Sequence, residues 1–484
     1  MAGFFIGDVV FVAALDFLAG LSAANFPWPL GTAAAILAAV SLLVFRFAAR
    51  RTFAAACMAA GFMLLPFLFG AYYLHFFINL RNAGERMPEG KASFRVLAEN
   101  EPAVSETYAS FSGELQPPYS GTVTMFVPAG SALHYGDLVA ATGTVSAPRR
   151  IGDPPAVFPK DFAVVSRGGG SSLVRAAIAV RTAVSAKFGA WLPGDAAGLL
   201  EGMFIGGTAD LDPSLRKDMA ASETLYIASL YGYKIGMIIL CTEIFLADWV
   251  PRAVRSVLAA AFGFAVVLLS GESIAAVRAG LAAAMLLFAR HAGVAYAPRH
   301  ALALTAAALA AADPAAVTGP AFSLTFLSVA GMVFLPVPVR NFLHLGSGRG
   351  FLEWKEAVAV SLASLLPIVP SVAALSGSFS LAAVPANILL APAVPVGMIL
   401  GAALAAIPAA VPAGAFLVSR AAGAFLGYPL FVIRFFAAHA VPLPFSFSSA
   451  SSWMLYFAAL ALFFFVYRDR PAPGRVVPPH EPSG

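Results

Sequence analysis

The sequence predicts a polytopic α-helical membrane protein with one small soluble β domain inserted near its N-terminal end. Hydrophobic residues make up 60% of the 484 residues and charged residues only 11%, whereas a typical soluble domain is about 25% charged. Apolar segments recur along most of the chain, and many of them approach the ~20 residues that cross a bilayer. Residues 81–171 break this pattern, because polar and charged residues return there.

Residues 1–80 are predicted to form N-terminal transmembrane helices. The expected helices are Phe4–Leu21, Leu30–Phe47 and Phe53–Leu80. A basic cluster of Arg46, Arg50 and Arg51 lies between the second and the third. Because basic loops of membrane proteins face the cytoplasm, this cluster predicts a cytoplasmic N-terminus and an extracytoplasmic position for the segment after residue 80.

Residues 81–171 are predicted to be the soluble β domain. Thr122–Val127 and Leu138–Val145 alternate between apolar and small or polar residues, as strands that are half buried on a barrel do. In the second run one face holds Val139, Ala141, Gly143 and Val145, and the other holds Thr142 and Thr144. The interval contains 8 Lys/Arg and 9 Asp/Glu, a net charge of −1, so it lacks the basic surface that tight nonspecific DNA binding requires.

Residues 172–220 are predicted to be an interfacial amphipathic helix and a polar connector. In the helix, Leu173–Trp191, the cations Arg175, Arg181 and Lys187 have no acidic neighbours in sequence. In the connector, Asp212 before Pro213 predicts the start of a helix, with the carboxylate capping free backbone N–H groups. A metal-binding pair of Asp210 and Asp212 is the alternative.

Residues 221–467 are predicted to form the main transmembrane domain, with about seven to nine apolar segments, and residues 468–484 a short basic cytoplasmic tail. Lys234 is the strongest candidate for function, because a cation inside an apolar helix costs about 2.5 to 3.5 kcal/mol and usually faces a cavity or a partner. Glu223, Tyr226, Leu230 and Lys234 recur at helical spacing on one face. The alternative is that Lys234 snorkels or pairs with a carboxylate, Glu243 or Glu272.

Other residues complete the candidate pathway. Tyr226, Tyr231 and Tyr233 add aromatic rings near Lys234, and aromatic rings with cations are what single-stranded nucleic acid needs. Arg278 lines the same pathway or pairs with Glu272. Helix packing or gating is assigned to Gly232, Gly236, Glu272 and Thr325, since small residues and hydroxyls let helices approach and bond.

These residues resemble a known family, the ComEC-type competence proteins. The stretch from Gly206 to Gly236, the Arg278-Ala279 pair, Arg299, Asp313-Pro314 and Phe322–Leu327 follow one another in that family's order and approximate spacing. The Tyr135-Gly136-Asp137 turn and Gly143 are similar to the family's OB-like N-terminal domain. The family's usual Ser-Gly-Leu-His run is replaced here by Tyr231-Gly232-Tyr233-Lys234, so aromatic and cationic groups stand in for its His and Ser.

The resemblance implies an inner-membrane channel that passes single-stranded DNA into the cytoplasm during natural transformation. Its implied partners are single-stranded DNA, membrane lipid, a DNA receptor and a cytoplasmic DNA-translocating ATPase, and a homo-oligomer is left open. The chain is expected to lack the C-terminal metallo-β-lactamase-like domain of many relatives, and neither a catalytic site nor a cofactor or metal is expected. The alternatives are a small-solute or lipid transporter, or a non-transporting envelope protein derived from the same family.

Overall fold

The computed structural model describes most of the chain as helices, with one β region in the first half. The described residues are 2–24, 53–88, 90–104, 107–146, 154–207, 211–225, 227, 231–271, 273–345, 354–408, 411–443, 447 and 450–468. The predicted helix Leu30–Phe47 and the tail after Arg468 lie outside them. The chain divides into two compact units. Unit 1 is Met1–Arg216, Ile227–Phe322 and Pro395–Gly427; unit 2 is Lys217–Tyr226, Ser323–Val394 and Tyr428–Gly484.

Two long helices open the chain, α1 (Ala2–Ala24) and α2 (Phe53–Gly84). They cross with their backbones in contact, because glycines stand at the crossing. An ideal Cβ at Gly20 would lie 1.9 Å from the Phe67 carbonyl oxygen, and one at Gly70 would lie 2.2 Å from the Phe17 carbonyl oxygen. Such close approach through small residues is how helices associate in hydrocarbon, where the hydrophobic effect between them is lost.

The β region follows α2 and forms a closed, barrel-like sheet. Its strands are β1 (Lys91–Ala98), β2 (Ala103–Val104), β3 (Tyr108–Leu115), β4 (Thr122–Pro128), β5 (Leu138–Ser146), β6 (Ala156–Val157) and β7 (Asp161–Ser166). The main path runs β1-β3-β4-β6-β5, and β5 pairs back to β1 along seven residues, which closes the sheet. β4 and β6 are parallel, whereas the other pairs are antiparallel.

The alternation predicted for two of these strands is confirmed. Val123, Met125 and Val127 of β4 and Val139 and Ala141 of β5 are buried in one apolar core, together with Phe94 and Phe111 from β1 and β3. The predicted turn at Tyr135-Gly136-Asp137 is also present. Gly136 has a φ of +78°, and an added Cβ would lie 2.2 Å from the Gly169 carbonyl oxygen, so only glycine suits this close approach.

Unit 1 continues through a chain of helices. They are α3 (Ser172–Trp191), α4 (Gly194–Phe204), α5 (Pro213–Ala221), α6 (Tyr231–Phe245), α7 (Arg252–Leu269), α8 (Ile274–Ala292) and α9 (Pro298–Ala312), followed by a short 3-10 turn, Pro314–Thr318. α5 crosses into unit 2. The predicted cap at Asp212 is confirmed, because its Oδ1 accepts from the Ser214 N–H at 2.9 Å. Asp313 caps the 3-10 turn in the same way, and its Oδ1 accepts from the Ala315 N–H at 3.0 Å.

Unit 2 holds most of the remaining helices. They are α10 (Pro320–Phe334), α11 (Pro336–Phe342), α12 (Trp354–Leu365), α13 (Val369–Ser376), α14 (Ala383–Leu390), α15 (Ala393–Ala406), α16 (Pro412–Ala438) and α17 (Ala450–Tyr467). The first residues of α10, the later part of α15 and the first half of α16 belong to unit 1. Two short strands, β8 (Phe379–Ser380) and β9 (Pro442–Leu443), pair antiparallel.

Among the described residues, four helical stretches are long and apolar enough to cross a membrane. They are Arg252–Leu269, Ile274–Ala292, Lys355–Leu375 and Pro412–Ala438. Two bent pairs raise the number to six if each counts as one span: Pro320–Phe334 with Pro336–Phe342, bent by 61°, and Ala383–Leu390 with Ala393–Ala406, bent by 46°. A mostly helical protein with several apolar spans and a barrel-like β region is therefore confirmed.

Candidate functional site

Lys234 lies in a buried polar cluster where the ends of several helices of unit 1 meet. We call Arg181, Glu201, Tyr231 and Lys234 the Lys234 cluster. The Lys234 side chain is completely buried, and its Nζ donates to the Gly202 carbonyl oxygen at 2.6 Å. The same ammonium lies 4.9 Å from the centroid of the Tyr231 ring, a cation–π distance.

The position of Lys234 has a simple electrostatic reason. Gly202 is in the last turn of α4, where the backbone carbonyl groups lack helical partners and carry the negative end of the helix dipole. An ammonium there is stabilised both by the hydrogen bond and by the dipole. Lys234 therefore caps α4 and joins it to α6.

Glu201, the residue before Gly202, carries the negative charge of the cluster. It is 3% exposed, its Oε1 lies 3.4 Å from Nε of Arg181, and its Oε2 accepts a hydrogen bond from the Ser185 hydroxyl. The helix α3 thus places one cation and one hydroxyl against a buried carboxylate of α4. Burying a carboxylate is costly unless it is paired and hydrogen-bonded, and here it is both.

Tyr231 joins the cluster to two further elements. Its hydroxyl lies near the side chains of Ser270 and Ser273, which flank the turn between α7 and α8, and near the backbone of Gly207. Gly206, with a φ of +108°, lies so close to the ring that an added Cβ would be 2.5 Å from Tyr231 Cε1. The loop Gly206-Gly207 therefore folds tightly over Tyr231, and a side chain at Gly206 would disturb it.

The other predicted pathway residues are distributed differently. Arg278 lies on α8 and faces Gly232, where an added Cβ would be 3.8 Å from its Nη2. Tyr233 is 48% exposed and so points away from the buried cluster. Thr325 is half-buried on α10 in unit 2. Tyr226 and Glu272 lie outside the described residues.

The prediction that Glu223 and Lys234 lie on one face of the same helix is wrong. α6 is described from Tyr231 to Phe245 and includes Lys234, whereas Glu223 lies outside it. Glu223 lies in a turn with a φ of +55°, a left-handed conformation that interrupts a helix. The preceding helix ends there, because the Thr224 N–H bonds back to the Met219 carbonyl oxygen at 2.8 Å.

Three further expectations are corrected. Glu243 does not pair with Lys234: its Oε2 lies 3.5 Å from Nε of Arg255. Arg181 has an acidic neighbour after all, because tertiary folding brings up Glu201. An ideal Cβ at Gly236 has nothing within 4 Å, so no helix of the described chain packs closely against it.

A second feature, which the sequence analysis missed, is an exposed group of aromatic rings on the β region. Tyr108 of β3, Phe126 of β4 and Phe158, just after β6, form what we call the aromatic face. The Phe126 and Phe158 rings are stacked, with centroids 4.8 Å apart and planes 12° apart, and Tyr108 meets Phe126 edge-on at 5.5 Å. Tyr108 is 44% exposed and Phe158 58%.

A signal for this face was present in the strand pattern. The outward positions of β3 and β4 otherwise hold the small polar residues Ser110, Ser112, Thr122 and Thr124, together with Glu114 and Pro128. Large aromatic rings at outward positions of a half-exposed strand stand out against these small polar residues, and exposed apolar patches commonly mark binding sites. Among the described residues, no group of three His, Cys, Asp or Glu side chains is arranged to hold a metal ion.

Comparison with known proteins gives one match. The family model described as Competence protein matches residues 203–471, which include Lys234, Tyr231 and the helices of unit 2. No curated protein and no solved structure matched the chain.

Proposed function

This chain belongs to the Competence protein family, and on that premise we propose that it conducts single-stranded DNA across the cytoplasmic membrane during natural transformation. The family match makes it a competence-related membrane protein, and the apolar helices agree with that. The DNA substrate is our inference. The structural observation that carries it is the aromatic face, because stacked and exposed rings are the chemistry that holds unpaired bases.

The proposal gives the β region the role of an OB-like DNA-contacting domain. When β2 and the edge strand β7 are left out, the other five strands follow the order first, second, third, fifth, fourth and back to the first, with the third and fifth parallel. This is the strand order of an OB barrel, whose ligands lie on the face of the second and third strands. Tyr108 and Phe126 stand on the two strands that correspond to these.

Stacking, and not charge, is the proposed basis of the contact. The interval 81–171 has a net charge of −1, so few phosphates are neutralised and the affinity is expected to depend only weakly on salt. A contact of this kind holds a strand briefly and releases it, as transport requires. We assign the chain transport and no catalytic step, with membrane lipid, a DNA receptor and a cytoplasmic ATPase as its proposed partners and homo-oligomers left open.

The aromatic face provides the first prediction. Replacing Tyr108 and Phe158 together by alanine removes two stacking rings, each worth about 1–3 kcal/mol per base. We expect transformation of a host that depends on this chain to fall at least tenfold, while the amount of protein in the membrane stays the same.

The control is Val165→Ala, which trims another exposed hydrophobic side chain, 52% exposed, on β7 of the same region. Transformation of the control should equal that of the wild type. Equal transformation in the double variant would remove the aromatic face from the DNA path.

A further inference from the structure

Unit 2 contains an apolar groove that the proposed DNA path does not use. It has a volume of about 390 Å³ and lies between α11, α12 and α17. Its walls are aliphatic and aromatic: Val339, Phe342, Leu362, Leu366, Leu460 and Phe463. At one end the Tyr456 hydroxyl donates to the Leu366 carbonyl oxygen at 2.6 Å and forms the floor.

The opposite end of the groove is polar and basic. Arg340 Nη1 lies 3.1 Å from Glu356 Oε2, and Lys355 is the residue before Glu356. Tyr467 is held there because its carbonyl accepts from Asn341 Nδ2 at 2.7 Å, and the next residue, Arg468, lies over the Phe465 ring at 5.0 Å. The helix ends that carry Arg340, Lys355 and Arg468 thus meet at this end of the groove.

The distance from the basic mouth to the floor of the groove matches the hydrocarbon thickness of one leaflet of a bilayer. Lys355 precedes Leu366 by eleven residues, and Tyr456 precedes Tyr467 by eleven residues. At 1.5 Å per helical residue, both walls run for about 16 Å from the basic mouth to the floor. Half of the hydrocarbon core of a bilayer is about 15 Å thick, so the distance from the basic residues to the floor matches the depth of one acyl chain in its leaflet.

We propose that this groove is a binding site for an anionic phospholipid, with an acyl chain between α11, α12 and α17 and the phosphate at Arg340, Lys355 and Arg468. The Arg340–Glu356 pair does not oppose this, since its side chains are 33% and 47% exposed and such surface pairs are weak. A phosphate group offers Arg340 a charge-assisted, bidentate partner. The lipid would fasten α17 to the bent pair α10–α11.

The test measures lipid binding to the purified full-length chain in detergent, by native mass spectrometry. The probes are phosphatidylglycerol and phosphatidylcholine with identical acyl chains. We expect the wild type to bind phosphatidylglycerol at least tenfold more tightly. In Arg340→Gln/Lys355→Gln this affinity should fall about 30-fold, because each basic residue near an anionic lipid contributes about 1 kcal/mol, and phosphatidylcholine binding should stay unchanged.

Two further variants keep the proposal falsifiable. Ala459→Trp, a change on the groove wall, should displace both lipids; Arg252→Gln, at the exposed start of a span in unit 1, should bind as the wild type does. Free glycerol phosphate should not compete. Equal affinity for the two lipids, unchanged binding in Ala459→Trp, or displacement by glycerol phosphate would each overturn the site.

Discussion

At the scale of single residues, Lys234 shows how a membrane protein keeps a buried cation. A cation in an apolar helix suggests a pathway, yet this one donates to the last turn of α4 and lies over the ring of Tyr231. The ammonium group binds a helix end, and the sequence does not reveal this contact because the carbonyl group belongs to a residue 32 positions away. Lys234 therefore serves to join α4 to α6.

Lys234→Met keeps the length of the side chain and removes its charge and hydrogen bonds. Hydrogen bonds to charged groups contribute about 1.5–3 kcal/mol, so we expect a lower unfolding temperature of the full-length chain in detergent and a loss of transformation. Lys217→Met, the same change at an exposed lysine, is the control and should change neither. A Lys234→Met protein with wild-type stability would contradict the assigned cap.

Glu223 gives a prediction for pH. Burial raises the pKa of Glu223 from 4.5 to about 7, although a hydrogen bond from the Ser380 backbone opposes the rise. Because the folded state holds the proton longer than the unfolded state, stability falls as the pH rises between about 4.5 and 7. The unfolding temperature of Glu223→Gln should depend less on pH across this window than that of the wild type, and the variant should be the more stable at pH 8. A wild-type pH profile in the variant would show that Glu223 does not titrate there.

At the scale of elements, local structure that depends on neighbouring residues in the sequence was predicted well. The alternation in β4 and β5 and the cap at Asp212 depend on neighbouring residues, and the structure has each of them. The helix predicted to run from Glu223 to Lys234 was wrong, because the left-handed turn at Glu223 interrupts it. Glu201 and the aromatic face were missed because their partners come from distant segments, Arg181 from α3 and Phe158 from beyond β6.

The crossing of α1 and α2 is an element that can be tested directly. In Gly20→Val, the side chain would collide with the backbone of Phe67, which an added Cβ already meets at 1.9 Å. The helices must separate and lose their van der Waals packing, so we expect less folded protein in the membrane fraction. Gly189→Ala is the control, because an added Cβ there meets nothing within 4 Å on α3. A Gly20→Val chain that accumulates normally would argue against this crossing.

At the scale of the whole molecule, the family match and the aromatic face lie in different parts of the chain. The Competence protein match covers the helical region from residue 203 to residue 471, and the aromatic face lies outside it, in the β region. If the chain conducts DNA, the two regions act in series: the rings hold a strand before the helices pass it on. Loss of the β region and loss of the helical region should then block DNA entry at different stages.

The most direct test follows labelled DNA in a naturally competent host with and without this chain, and scores entry into the cytoplasm separately from binding outside it. We predict that removal of the chain blocks cytoplasmic entry while externally bound DNA persists, and that the wild-type chain restores entry. Undiminished cytoplasmic entry in cells without the chain would contradict its role as the DNA channel.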